Sequence, residues 1–376
     1  MESLDKFGFY EVSGRKTYSK LEAFEWANHD IDKVDWNFNR GIFSSYDWTK
    51  EPAQDINYFY DERAKQLREK YDYIVLMYSS GYDSHNILRT FIDNKIHIDE
   101  VLTIVPGLQI SCEDSYEYLN YNKNKILKYS DELSRTKIRV IEQVDTFFDI
   151  IRGVSHDDIV YGMNQRFSVF HLVNRYIIKN LAPEYQRYGK KICFLYGIDK
   201  PIVVRSADRK KCSFYFSDNS TSNVVIETEK NPQFHTEFFY WDITCASMLI
   251  KQAHLLKKSI ISSSHLFNFI PNKINQEKNT IIYPRCFADI HLGYSQNGTY
   301  GEYHTKVEKI LGHPEDMMKQ QIYRCMGSKN TWFYIANTDA STRIRNYLAS
   351  VTKYPALFRN NNIYDEMKSH NNVYEI

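Results

Sequence analysis

The chain has 376 residues, 43% of them hydrophobic, enough apolar material for a sizeable core in two or three structural units or one elaborated domain. Its 48 basic and 47 acidic residues leave a formal charge of +1, which excludes a global field drawing the protein to nucleic acid or an anionic membrane. The opening stretch MESLDKFGFYEVSGRK lacks a signal peptide's apolar run, no uninterrupted run of about 18 apolar residues occurs, and six dispersed cysteines form no C-x-x-C pair. The expectation is a soluble, cytoplasmic protein with reduced thiols and no membrane partner, zinc site, iron–sulfur cluster or redox dithiol.

Residues 8–20 predict a short β-hairpin turning at Ser13-Gly14, and 18–30 a helix capped by Ser19. The segment DWNFNRGIFSSYDWTKEP that follows is aromatic and irregular. Between Asp55 and Tyr71, the residues Ile56, Phe59, Tyr60, Ala64 and Leu67 recur at helical spacing among charged residues, which predicts an amphipathic helix. Residues 73–78 (YIVLMY) are almost continuously apolar, as in a strand buried on both faces of a parallel sheet. A loop with Gly81 and a helix over roughly 83–94 follow at once. Apolar runs at 98–105, 137–141 and 191–196 alternate with helical stretches at 114–134 and 166–182. This alternation predicts an α/β fold with a parallel sheet. After Pro201, two strands at 202–206 and 212–216 flank the turn ADRKK, and 243–258 predicts a helix. Residues beyond about 265 give no clear pattern. The expected domains are 1–54, an amino-terminal α+β extension; 55–262, the central α/β domain; and 263–376, a mixed carboxy-terminal region.

The chemistry points to Ser79-Ser80-Gly81-Tyr82-Asp83-Ser84, which leaves the buried strand and opens the helix. That context aims several backbone N–H groups at one point and suits an anion. Gly81 permits a close turn, Ser79 and Ser84 offer hydroxyls, and Asp83 can cap the helix or hold a magnesium ion on phosphate oxygens. Neither G-x-x-x-x-G-K-[ST] nor G-x-G-x-x-G occurs. A plain Asp/Ser helix start is the alternative.

Strand, loop and helix together resemble the PP-loop ATP pyrophosphatase family, whose signature S-G-G-x-D-S follows the first strand of a HUP-type α/β domain and which includes the synthetase domain of asparagine synthetase. The resemblance covers Tyr73 to about Pro106. The expected cofactors are ATP and Mg2+, with Ser79, Ser80, Gly81, Tyr82, Asp83 and Ser84 binding the nucleotide. Ser80 stands where the family usually has its first glycine, which puts full activity in question. Thirty tyrosines beside many Asn, Ile and Lys residues fit an AT-rich coding genome, as expected of a virus- or phage-encoded member acting in the host cytoplasm.

A second loop, Tyr196-Gly197-Ile198-Asp199-Lys200-Pro201, also follows a buried apolar run. Members similar to asparagine synthetase use a Gly- and Asp-containing loop in a like place to hold magnesium and pyrophosphate. The resemblance therefore implies Gly197 as a nucleotide contact, Asp199 as a metal ligand beside Asp83, and Lys200 as a cation for the leaving group. Asp83, Asp199 and Lys200 are the candidate catalytic residues, although Gly-x-Asp-Lys-Pro also makes a plain turn. Lys251, His254, Lys257 and Lys258 cluster near a helix end, where a solvated cationic face suited to the helix dipole is the simpler explanation than a phosphate contact. Arg205, Arg209, Lys210 and Lys211 form a basic hairpin, His156-Asp157-Asp158 reads as an exposed turn, and Arg166 and His171 could reach a nucleotide.

The expected reaction is adenylation of an acceptor carboxylate or carbonyl with release of pyrophosphate, followed by displacement of AMP by ammonia or an amine. No amino-terminal cysteine nucleophile follows Met1, so ammonia would come from solution or a separate glutaminase. The acceptor is a small molecule or a nucleobase of RNA or DNA; near-zero charge leans towards the former. The alternatives are a non-catalytic nucleotide-binding or structural protein that retains the fold, and a nucleic-acid-binding module.

Overall fold

A computed structural model of the chain describes residues 4–79, 82–105, 126–142, 156, 169–197, 202–206, 211–218, 231–262, 273–275, 280–282, 349–354 and 368–376. At the amino terminus β1 (Phe9–Val12) pairs antiparallel with β2 (Arg15–Thr17) and β3 (Asp35–Asn37). Ser13 and Gly14 both have positive φ, +50° and +77°, the conformation that a tight two-residue hairpin turn requires. Ser19 caps α1 (Lys20–Trp26) by accepting a hydrogen bond from the Glu22 N–H. A single helical turn, α2 (Arg40–Phe43), precedes α3 (Ile56–Lys70), which is capped by Asp55.

The central sheet begins with β4 (Tyr73–Met77), followed by α4 (Tyr82–Asp93), β5 (Glu100–Val105), β6 (Lys137–Glu142), α5 (Val169–Gln186) and β7 (Ile192–Tyr196). The chain then leaves through β8 (Ile202–Ser206) and β9 (Cys212–Ser217), and returns with β10 (Phe234–Phe238) and α6 (Ala246–Ser262). The five strands lie in the order β10-β7-β4-β5-β6, every pair parallel. Numbered along the chain, this is 5-4-1-2-3: the strands run outward from β4 to β6, then cross back to add β7 and β10 on the other side.

Alternation along β4, β5 and β7 buries both faces of the sheet at its centre. Ile74, Leu76, Val101 and Leu195 pack with Ala64 and Leu67 of α3 and Ile87 and Phe91 of α4. Val75, Leu102 and Phe194 face the opposite way, in the core that holds Ile178 and Tyr185 of α5. At the amino-terminal edge, buried Glu100 accepts hydrogen bonds from Tyr73 and Tyr185, both 3.0 Å, and an ion pair from Arg139 at 2.9 Å.

A second, antiparallel sheet joins β11 (Lys273–Asn275), β12 (Thr280–Ile282), β8, β9 and β13 (Lys368–Glu375) in that order, and so draws strands from both sides of residue 262. The irregular aromatic segment of 35–52 forms its core. Phe43 stacks on Phe216 at 4.8 Å and Trp48 on Tyr374 at 4.5 Å. A fully buried ion pair, Lys20 to Asp218 at 3.0 Å, with Tyr10 also donating to Asp218 at 2.8 Å, fastens α1 and β1 to the end of β9. Among the described residues no helix is long and apolar enough to cross a membrane.

Two features went unmarked in the sequence pattern. β10 is interrupted by His235 and Glu237, so it lacks an uninterrupted apolar run, yet it supplies the fifth parallel strand. Glu237 is tolerated there because it is neutralised on all sides. Arg63 donates to it at 2.9 Å and Lys70 at 3.0 Å, Tyr71 also donates, and Lys6 lies 3.7 Å away. Burial alone would push the Glu237 carboxyl up, but Arg63, Lys6 and Lys70 hold it down at about 2.

Candidate functional site

In a doubly wound parallel sheet, the place where the strand order reverses leaves a crevice outside the carboxyl ends, because loops from adjacent strands there turn to opposite faces. Here the reversal lies between β4 and β7. The two loops singled out in the sequence, after Met77 and after Tyr196, leave these two neighbouring strands.

Tyr78 extends β4 by donating its N–H to the Leu102 carbonyl at 2.8 Å. The Ser79 N–H then donates to Ser84 Oγ at 3.2 Å, and the two hydroxyl oxygens lie 3.4 Å apart. Strand end and helix start are thus cross-linked by the serines. α4 begins at Tyr82, so Asp83 and Ser84 stand in its first turn, where a carboxylate suits the helix dipole. Asp83 is half-buried and Ser84 buried. Ser80 and Gly81 lie outside the described residues, as does the side chain of Tyr82.

Gly197 joins this loop from the neighbouring strand. A Cβ built on it would stand 2.8 Å from Ile87 Cδ1, 3.0 Å from Ser84 N and 3.1 Å from the carbonyl carbon of Asp83. Only glycine lets the β7 exit lie against the Asp83–Ser84 peptide. Asp199 and Lys200, the next candidates along this loop, lie outside the described residues.

The third wall comes from the exit of β10. The Phe239 N–H donates to the Tyr196 carbonyl at 3.0 Å, which ties this segment to the end of β7. Tyr240, wholly buried, donates its hydroxyl to the Asp83 carbonyl at 2.8 Å and accepts from Asn86 Nδ2 at 3.1 Å. No spacing in the sequence connects Tyr240 with Asp83, 157 residues away. On the other flank of α4, the Tyr78 hydroxyl meets His85 Nδ1 at 2.9 Å.

The other candidates serve elsewhere. Lys251 and Lys258 pair with Glu51 at 2.9 Å and 2.7 Å, His254 Nε2 meets the Trp48 carbonyl at 2.9 Å, and Lys257 donates to the Ile376 carbonyl at 2.6 Å. This cationic helix face fastens residues 48–51 and the end of β13. Lys211 pairs with Glu375, and His156 accepts from the Lys353 N–H at 3.4 Å. Arg166, Arg209, Lys210, Asp157 and Asp158 lie outside the described residues, as do the side chains of His171 and Arg205. Burial pushes the Cys245 thiol up against the opposing charge of Arg63, so it is no ready thiolate. Among the described residues no group of three or more His, Cys, Asp or Glu side chains is gathered for a metal ion.

Compared with family models, curated proteins and solved structures, the chain has no match.

Proposed function

We propose that the chain is an ATP-dependent adenylating enzyme of the PP-loop pyrophosphatase type, built on a HUP-type α/β domain. The observation that carries this reading is the close approach of Gly197 to the Asp83–Ser84 peptide at the reversal of strand order. With no side chain between them, the β7 exit and the first turn of α4 bring main-chain groups from two loops together at the carboxyl ends of the strands, an arrangement that suits an anion.

In this reading the β- and γ-phosphates of ATP lie against residues 79–84, where first-turn N–H groups and the Ser79 and Ser84 hydroxyls donate to them. An acceptor oxygen attacks the α-phosphorus, the bond from that phosphorus to the bridging oxygen breaks, and pyrophosphate leaves with the electron pair. The donors on the leaving group gain strength as its charge grows, the usual source of rate in such transfers. Ammonia or an amine then displaces AMP from the adenylated acceptor. Asp83, a hard oxygen donor in the first turn, fits a magnesium ion, with Asp199 as its partner; the ion would supply charge neutralisation. Lys200 would add a cation on the same side.

The test is incubation with magnesium and ATP labelled at the α-phosphate, with and without pooled carboxylate and nucleobase acceptors, beside Asp83→Ala. AMP and pyrophosphate formed by the wild type and lost in the variant are expected. Tight ATP binding with no turnover under any acceptor would replace the enzyme with a nucleotide-binding protein, and no ATP binding would overturn the site.

A further inference from the structure

We infer that Tyr240 is a positioning residue of this phosphate loop, a role that rests on the function just proposed. The Asp83–Ser84 peptide is one planar group held at both ends. Its carbonyl oxygen accepts the Tyr240 hydroxyl at 2.8 Å, and its nitrogen and carbon face the Gly197 backbone. Its N–H belongs to the first turn of α4, whose N–H groups are the donors the proposed phosphate site would use. Pinning the carbonyl fixes the plane, and therefore fixes where the N–H points. A hydrogen bond received at the oxygen also polarises the peptide, which makes the N–H at its other end a better donor.

Tyr240 is itself held in place. Its ring meets Tyr60 edge-on at 5.5 Å, its hydroxyl accepts from Asn86, and its own carbonyl accepts from Gln252 Nε2 at 3.2 Å. The adjoining Phe239 N–H bonds to the carbonyl of Tyr196, the residue before Gly197. One short segment after β10 therefore sets both the α4 first turn and the β7 exit, the two sides of the crevice.

Magnesium pyrophosphate is the probe, titrated calorimetrically into wild type, Tyr240→Phe and Tyr185→Phe, with thermal unfolding of each. Tyr185 is a matched control: its buried hydroxyl donates to Glu100 at 3.0 Å at the amino-terminal edge of the same sheet. Both variants are expected to melt a few degrees lower. Tyr240→Phe alone is expected to bind pyrophosphate about fivefold more weakly, the equivalent of one net hydrogen bond. Asn86→Leu, which removes the amide that holds the Tyr240 hydroxyl on the Asp83 carbonyl, should weaken binding by a smaller factor, about twofold, and it carries the test if Tyr240→Phe does not fold. Wild-type affinity in Tyr240→Phe, or in Asn86→Leu where that variant stands in, overturns the positioning role and leaves the phosphate loop standing. Failure of the wild type to bind pyrophosphate overturns the loop and the role of Tyr240 together.

Discussion

Gly197→Ala is the sharpest test of the two-loop site. The added methyl would meet two main-chain atoms, Ser84 N at 3.0 Å and the Asp83 carbonyl carbon at 3.1 Å, and one side-chain atom, Ile87 Cδ1 at 2.8 Å. The Ile87 methyl can rotate aside, but the peptide must retreat by a few tenths of an ångström. Overpacking of this kind costs about 1–3 kcal/mol. In the free protein part of that strain relaxes by moving the peptide; binding an anion forces the peptide back, so the relaxed part reappears as lost affinity. If about 1.4 kcal/mol is transferred, pyrophosphate binding falls tenfold. Gly8→Ala supplies the contrast: Gly8 has φ +86° and its added methyl would stand 2.4 Å from the Trp36 ring, in the amino-terminal sheet. Calorimetric titration with magnesium pyrophosphate and urea unfolding of both variants separate the effects. Gly8→Ala should be the less stable and bind normally, whereas Gly197→Ala should fold and bind weakly. A folded Gly197→Ala protein with wild-type affinity would refute the reasoning, since the contact would then lie outside the binding site.

Ser84→Ala removes the acceptor for the Ser79 N–H and should cost about 1 kcal/mol of stability together with a several-fold loss of pyrophosphate affinity, read in the same titration. Glu237→Gln removes the nearer of two counter-charges from Arg63, leaving Asp242 at 3.4 Å, and should lower the urea-derived stability by about 3 kcal/mol. Because the folded Glu237 carboxyl sits at about 2, below an unfolded value of about 4.3, its contribution is complete above about pH 4.3 and is lost as pH falls towards about 2. That acid-sensitive part, about 3 kcal/mol, should vanish from the pH profile of Glu237→Gln. Lys20→Met strands the Asp218 carboxylate in the core and should also cost about 3–5 kcal/mol. Adding Asp218→Asn should recover more than half of it in urea unfolding, and a cost below about 1 kcal/mol for Lys20→Met would contradict the buried pair.

Strands β4 and β7 and the helices beside them were legible because each is self-declaring: a strand buried on both faces is almost continuously apolar, and an amphipathic helix must repeat its apolar face. The strand end at 77–79 and the helix start at 82 were legible for the same reason. The amino-terminal hairpin was written in Ser13-Gly14, the two positions that need positive φ. Tertiary structure alone decided the rest. β10 carries a glutamate whose acceptability depends on Arg63, Lys70, Tyr71 and Lys6, brought together from distant segments. The aromatic residues of 35–52 have no period of their own because they pack on strands drawn from two distant segments, around residues 216 and 374. The lysines of α6 look alike in sequence and were separated from the candidate site only by where Glu51 and residue 376 fall. Tyr240 reaches Asp83 because β10 enters the sheet beside β7; hydrogen bonds between segments 157 residues apart follow strand order, which local pattern does not encode.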